Sequence, residues 1–337
     1  VLDPASKGLY LRMSAIQWLE RHQILVYLGA LAFGAAVGLT LPGSSSVFEA
    51  SIYPLLGALL YATFLQVPFT KLAEAFRDRR FLIAALVLNF VVVPVVVAAL
   101  TVVVTFPQAV LLGVLLTLLT PCIDYVIVFS GLAGGDSRRL LAASPLLMLA
   151  QMAALPLLLW LFMGPELTDI VDIGPFLEAF VILIVVPLGL AWATQALAAR
   201  RRAGVVLTTA FTAAMVPLMA GTLFVVVAGQ IPKIRDELHQ VGTVIPVYAA
   251  FLVIMAGLGC AAARMFRLDV GRSRALIFSG ATRNSLVVLP LALALPAGYA
   301  LTPVIVVTQT LVELVGMVLY VQLVPRMVRD TRTAPRP

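Results

Sequence analysis

The sequence predicts an all-α polytopic membrane protein, with ten transmembrane helices in two inverted five-helix repeats and crossed, discontinuous helices 4 and 9. Three observations predict this. Apolar residues make up 62% and charged residues 12% of the 337 positions, and mean hydropathy is +1.07; a soluble chain carries about 25% charge. Ten apolar segments, each long enough to cross a bilayer, follow one another along the chain. Two of them are interrupted inside their apolar run, at Thr120-Pro121-Cys122 and at Gly280-Ala281-Thr282-Arg283-Asn284.

The segments lie near 23–42, 48–67, 81–105, 108–132, 141–163, 175–197, 204–229, 243–263, 273–297 and 301–324. Phe106 and Pro107 alone separate the third from the fourth, and Gly298, Tyr299 and Ala300 the ninth from the tenth. The first apolar segment lacks a small-residue cleavage site, so it is expected to remain as a span rather than be removed as a signal peptide. The predicted organisation is an N-terminal segment 1–22, a first repeat 23–163, a second repeat 175–324 and a basic tail 325–337. An odd number of spans per set turns the second set over relative to the first. Gly34 and Gly38 lie four residues apart on the first span, a spacing that lets helices approach closely; Gly29 is read as packing too.

Charges sort by side. Lys7, Arg12 and Arg21 precede the first span. Alternate connections then carry Lys71, Arg77, Arg79 and Arg80; Arg138 and Arg139; Arg200, Arg201 and Arg202; and Arg264, Arg267, Arg272 and Arg274. The tail adds Arg326, Arg329, Arg332 and Arg336. The opposite side has Lys233 and Arg235 among several acids. This bias predicts that both termini are cytoplasmic. The +7 formal charge is thus spread over alternate loops, and no nucleic-acid partner is predicted. The partners expected are the lipid bilayer and a small solute.

A helix opened inside the bilayer leaves backbone groups unpaired, at several kcal/mol each in lipid. Breaks at matching places in two halves therefore point to a transport site. Pro121, Gly280 and Thr282 are the break residues. Arg283 sits near the middle of its segment, where insertion costs about 3 kcal/mol. It has two readings: a strut locking the broken helices, or a charge that attracts a solute oxygen. Asp124 is its expected partner, in a pair that either switches during transport or is static. Glu313 is the other deep acid. Burial favours its neutral form, so it is a candidate proton carrier or an acid hydrogen-bonded to a neighbouring helix. Thr117, Thr120, Asn284 and Ser285 offer neutral hydrogen-bonding groups for a polyhydroxyl solute or oxyanion. Cys122 is a small buried hydrophobe or a thiol for a thiophilic solute, while Cys260 is read as packing. Asn89, Gln151 and Gln309 line the path or join helices. Neither a nucleophile–base arrangement nor a metal-ligand cluster is present, so no enzyme, cofactor or metal is predicted.

These residues resemble the bile acid:sodium symporter superfamily over about 20–325. Thr120-Pro121-Cys122, the apolar run Ile123-Asp124-Tyr125-Val126-Ile127-Val128-Phe129 and the turn Gly135-Asp136 look most like its arsenite efflux permease branch. The resemblance implies a bacterial-type cell membrane and export of arsenite, with antimonite as a second cargo, in exchange for inward-moving protons. It also implies that Cys122 contacts the cargo and that Glu313 carries the proton. Arsenite is largely neutral near pH 7, so proton exchange would couple its export to the membrane potential. The chain departs from its sodium-coupled relatives at the ninth-helix break. There Ser279 stands near the acid that the resemblance leads one to expect, and Arg283 precedes Asn284 where a neutral Gln is usual. A fixed guanidinium repels a second cation, so no sodium dependence is expected at that break. The expected mechanism is alternating access, with spans one, two, six and seven as one moving unit and the broken-helix cores as the other. The competing reading is a carrier for a small organic anion with Arg283 as counter-charge.

Overall fold

The computed structural model describes residues 18–19, 22–66, 76–123, 125–164, 178, 181–236 and 238–329. Asp124, Lys7, Arg12, Arg21, Lys71 and the tail beyond residue 329 lie outside them. Among the described residues the chain is helical apart from turns and one isolated antiparallel bridge.

In chain order, α1 (Gln23–Thr40) and α2 (Ser45–Gln66) come first. Next is α3 (Arg79–Val103), which contains a π-turn at Leu88–Val92. Two short helices, α4 (Gln108–Leu118) and α5 (Tyr125–Leu132), flank the first break, and α6 (Ser137–Met163) follows. A π-turn at Val181–Val185 leads into α7 (Val186–Ala198). Then come α8 (Arg202–Ala213), α9 (Met215–Asp236) and α10 (Leu238–Met265). Helices α11 (Val270–Ala281) and α12 (Ser285–Leu293) flank the second break, and α13 (Thr302–Met327) closes the fold.

Among the described residues five helices are long and apolar enough to cross a membrane: α2, α3, α6, α10 and α13. Helices α8 and α9 make a sixth if taken as one span bent by 48°. The other apolar segments, where described, fall on shorter or divided helices such as α4, α7 and α12. Large side chains face outward in a manner suited to lipid; Val102 and Val103 are 84% and 81% exposed.

The chain forms two compact units, each drawn from both halves of the sequence: 1–66 with 181–235, and 67–180 with 236–337. In the first unit, α1 packs on α9 through its glycines. A Cβ at Gly34 would lie 2.7 Å from the Phe224 carbonyl oxygen, and one at Gly38 would lie 2.8 Å from that of Ala228. Such small-residue contacts are how helices associate where lipid removes the hydrophobic drive. Gly29, read from sequence as packing, is exposed, and among the described residues a Cβ there would meet nothing within 4 Å; it lies off the Gly34–Gly38 face. Gln195 of α7 donates to the carbonyls of Phe64 and Leu65 at the end of α2 (3.2 and 3.1 Å), meeting acceptors that a helix end leaves without partners. Tyr61 and Thr194 add a hydroxyl contact of 2.8 Å. The bend at Ala214 was not foreseen. Its signal is Pro217, which lacks the N–H that would bond back to Ala213.

The second unit holds both breaks. At one end, three helices start from aspartate caps: Asp78 accepts from Phe81 N–H, Asp136 from Arg139 N–H and Asp269 from Arg272 N–H. Arg272 joins Asp269 to Asp78 (2.6 and 2.8 Å), and Arg139 also reaches Asp78 (3.3 Å). Burial pushes the Asp269 carboxyl up, but the hydrogen bonds and charge of Arg272, with Arg139 nearby, outweigh it and hold the group below its usual range. Arg274 donates to Ala133 O and Val328 O. Three of the basic connections assigned to one side by the charge bias, those around Asp78, Arg139 and Arg272, therefore meet at one end of this unit. Gly134, at φ +68°, makes the turn before Asp136, a left-handed conformation that glycine adopts freely.

Candidate functional site

Helix α4 ends at Leu118 because Pro121 cannot donate a helical bond. The chain then runs extended through Thr120-Pro121-Cys122. Helix α11 continues through Gly280 and Ala281, further than the sequence suggested, so Gly280 lies in its last turn. The second break is confined to Thr282, Arg283 and Asn284. The two breaks lie against each other. Cys122 N–H donates to Thr282 O (3.1 Å), Asn284 N–H donates to Thr120 O (2.8 Å), and Pro121 pairs with Arg283 in an antiparallel bridge. Each broken helix thus satisfies backbone groups that the other leaves open.

Arg283 is fully buried. Its Nη2 donates toward Asn89 Oδ1 (2.7 Å), Gly280 O (2.7 Å) and Ser279 O (2.9 Å), and its Nη1 to Leu118 O (3.2 Å). Phe251 lies 5.5 Å from the guanidinium carbon, measured to its ring centre. Among the described residues Nε has no hydrogen-bond partner. Asn89 projects from the π-turn of α3 and also donates to the Ser279 hydroxyl (3.1 Å). The expected partner Asp124 lies outside the described residues.

Glu313 of α13 is buried beside the bridge. One carboxylate oxygen accepts the backbone N–H of Arg283 (2.8 Å) and the amide of Gln309; the other accepts the Tyr125 hydroxyl. Tyr125 also lies 3.1 Å from Arg283 O, and Ser285 hydrogen-bonds Gln309. A continuous polar path therefore runs Ser285–Gln309–Glu313–Tyr125, touching the Arg283 backbone. In this path the Glu313 carboxyl is the group that can take up a proton, and the Gln309 amide and Tyr125 phenol hold its two oxygens.

The other expected residues also converge here. Cys122 is a buried thiol within the bridge. Thr120 donates to Leu116 O and Thr117 to Gly113 O, while Thr282 donates to Phe278 O; their hydroxyl oxygens remain able to accept. Asn284 caps α12 through Oδ1, accepting from Val287 N–H (3.4 Å), and among the described residues its Nδ2 has no partner. Two members were underweighted from sequence. Tyr125 passed as part of an apolar run, although a phenol starting the helix after a break is itself a signal. Asn89, read either as lining the path or as joining helices, joins α3 to the second break, and the Pro94 behind it marks the π-turn that aims it inward.

No curated protein matches the chain. The family model described as the Sodium Bile acid symporter family matches residues 53–237, more than half of the chain and inclusive of the first break with Cys122. A multi-pass arrangement of apolar helices accords with that match, and the chain belongs to the sodium bile acid symporter family of membrane transporters.

Proposed function

We propose that this transporter exports arsenite, and antimonite as a second cargo, in exchange for protons. The observation that carries the reading is the joining of the Cys122 backbone to the Arg283 segment, whose own N–H is held by Glu313. A soft sulfur donor and a candidate proton carrier thus belong to one hydrogen-bonded assembly. Sulfur suits a trivalent arsenic centre, while threonine oxygens and the Asn284 amide suit its hydroxyls. Cys122 recognises the cargo. Glu313 takes up a proton from the outer side and releases it inside, with Tyr125 and Gln309 steadying its two oxygens. Arg283 stays protonated throughout and so does not carry the coupled proton.

We further propose ten spans in two inverted repeats, 23–163 and 175–324, with both termini cytoplasmic in a bacterial-type cell membrane. The fourth and ninth spans are the pairs α4–α5 and α11–α12. Support comes from the near-equal lengths of the divided halves and from their antiparallel bridge. Alternating access would use the two compact units as moving parts, since each takes helices from both halves of the chain. Asp124 is proposed as an auxiliary acid beside Arg283.

The organic-anion reading is less favoured because both terminal nitrogens of Arg283 already donate to protein oxygens. Flux into defined proteoliposomes separates the readings, with arsenite and small carboxylates compared under separate proton and sodium gradients. Saturable arsenite flux driven by a proton gradient is the expected result. Carboxylate flux without arsenite flux would overturn it.

A further inference from the structure

The oxygens around Arg283 are those a helix end leaves over. The last four carbonyls of a helix have no partner within it. Helix α4 supplies Leu118 O, and the last turn of α11 supplies Ser279 O and Gly280 O. Both helices also direct the negative ends of their dipoles to this point. The π-turn of α3 adds Asn89 Oδ1. Nη2 carries two hydrogens, yet three oxygens approach it within 2.9 Å. This is less a matched set of donors and acceptors than a cage of uncharged oxygens around a positive charge. Carbonyl and amide oxygens are the ligands that hard metal cations take.

The family's name implies sodium, and the residues here do not fit sodium. The guanidinium fills the cage, and a second positive charge beside it would be repelled in a low-dielectric interior. We propose that Arg283 is a tethered cation, occupying an oxygen cage at the junction of the two broken helices and thereby freeing this site from dependence on sodium. A charge fixed to the chain cannot dissociate, so this cage cannot couple transport to an ion gradient. The inference deepens the ion-coupling part of the reading above and stands whatever the cargo is, because it is read from stability rather than flux.

The test uses the purified full chain in detergent. Its melting temperature is compared in sodium, lithium, potassium and N-methyl-D-glucamine chlorides at equal ionic strength. The native protein is expected to melt alike in all four. Arg283→Ala is expected to melt lower in N-methyl-D-glucamine and to recover saturably with sodium, lithium or millimolar guanidinium. At about tenfold the dissociation constant the rise should be about 2 °C. Adding Asn89→Ala to Arg283→Ala should abolish that recovery by removing a ligand. Arg283→Lys, which keeps a tethered charge, should be folded and indifferent to the cation. The proposal fails if the native protein shows a saturable sodium response that Asn89→Ala removes, or if folded Arg283→Ala responds to none of these cations. Should Arg283→Ala not fold in any of them, Arg283→Lys decides: a folded, indifferent variant supports a required tethered charge, and an unfolded or sodium-responsive one overturns it.

Discussion

Each unit contains a π-turn ending two residues ahead of a proline, and their contents differ. Leu88–Val92 precedes Pro94 in the second unit; Val181–Val185 precedes Pro187 in the first. Proline removes an N–H donor and crowds the carbonyl four residues back, here Phe90 and Leu183, so a widened turn is the local response in both places. The first unit's turn is wholly aliphatic. The second unit's turn carries Asn89, which reaches Arg283 and Ser279. The breaks differ in the same way. Around Ala214 the hydrogen bonds close locally, Ala214 N–H to Ala210 O and Leu218 N–H to Ala214 O. The breaks beside Cys122 and Arg283 close on each other instead. A helix defect alone therefore marks a bend. A defect whose groups are satisfied by polar residues from elsewhere in the fold marks a candidate site.

The comparison is tested most severely at Glu313. Glu313→Leu removes the acceptor of three buried donors, the Tyr125 hydroxyl, the Gln309 amide and the Arg283 N–H. At about 1–3 kcal/mol per stranded donor, the variant should be recovered in much smaller yield or melt far lower. Glu313→Gln preserves shape and should fold, yet its flux should no longer respond to a proton gradient; an unaltered pH profile would reject the proton-carrier role.

Next in size is the contrast between the two π-turns. Asn89→Leu leaves Nη2 of a buried guanidinium without its side-chain oxygen and should destabilise by about 3 kcal/mol. Ile182→Ala, at a half-exposed position in the other turn, should cost about 1 kcal/mol or less. Chemical denaturation of the two variants side by side checks this; equal losses would mean the polar filling of the second turn contributes nothing. Cys122→Ser is smaller still in stability, since it exchanges one small side chain for another. Its effect should fall on arsenite, with weaker competition and slower flux while the melting temperature stays close to native. Normal arsenite flux would remove the thiol from cargo recognition.

The residues at the two breaks were more legible in the sequence than their partners were. Charge and proline in an apolar run are costly enough to be read directly, which is why Pro121, Cys122, Arg283 and Glu313 stood out. Their partners were harder to read. Asn89 lies almost two hundred positions from Arg283, and nothing local says which polar side chain a guanidinium will meet. Gly280 was assigned to the break because glycine weakens helices, but its carbonyl and its packing against Leu88 and Met255 keep it in the last turn of α11. The bend before α9 was missed because Ala213-Ala214-Met215 reads as uninterrupted helix, and Pro217 acts on the turn preceding it. Gly34 and Gly38 were legible because spacing alone defines the face they share; Gly29 lies off that face.

The smallest expected effect lies away from the breaks, at the aspartate caps. Asp269 caps α11 and is paired with Arg272, which holds its carboxyl below the ordinary carboxylate value. A carboxyl lowered in the folded state contributes stability that is fully present above its unfolded pKa, about 4, and is lost as pH falls through the lower folded value. The melting temperature should therefore be insensitive to this group between pH 7 and about 5 and should decline below about 4. Asp269→Asn keeps a capping oxygen but gives up the charge on Arg272. It should melt slightly lower than native at pH 7, and the gap should close as the pH is taken below about 4. The side chain is largely exposed and its pair is screened by solvent, so the gap should also shrink with added salt. A gap that instead widens in acid would show that the carboxylate is not what ties α11 to this end of the unit.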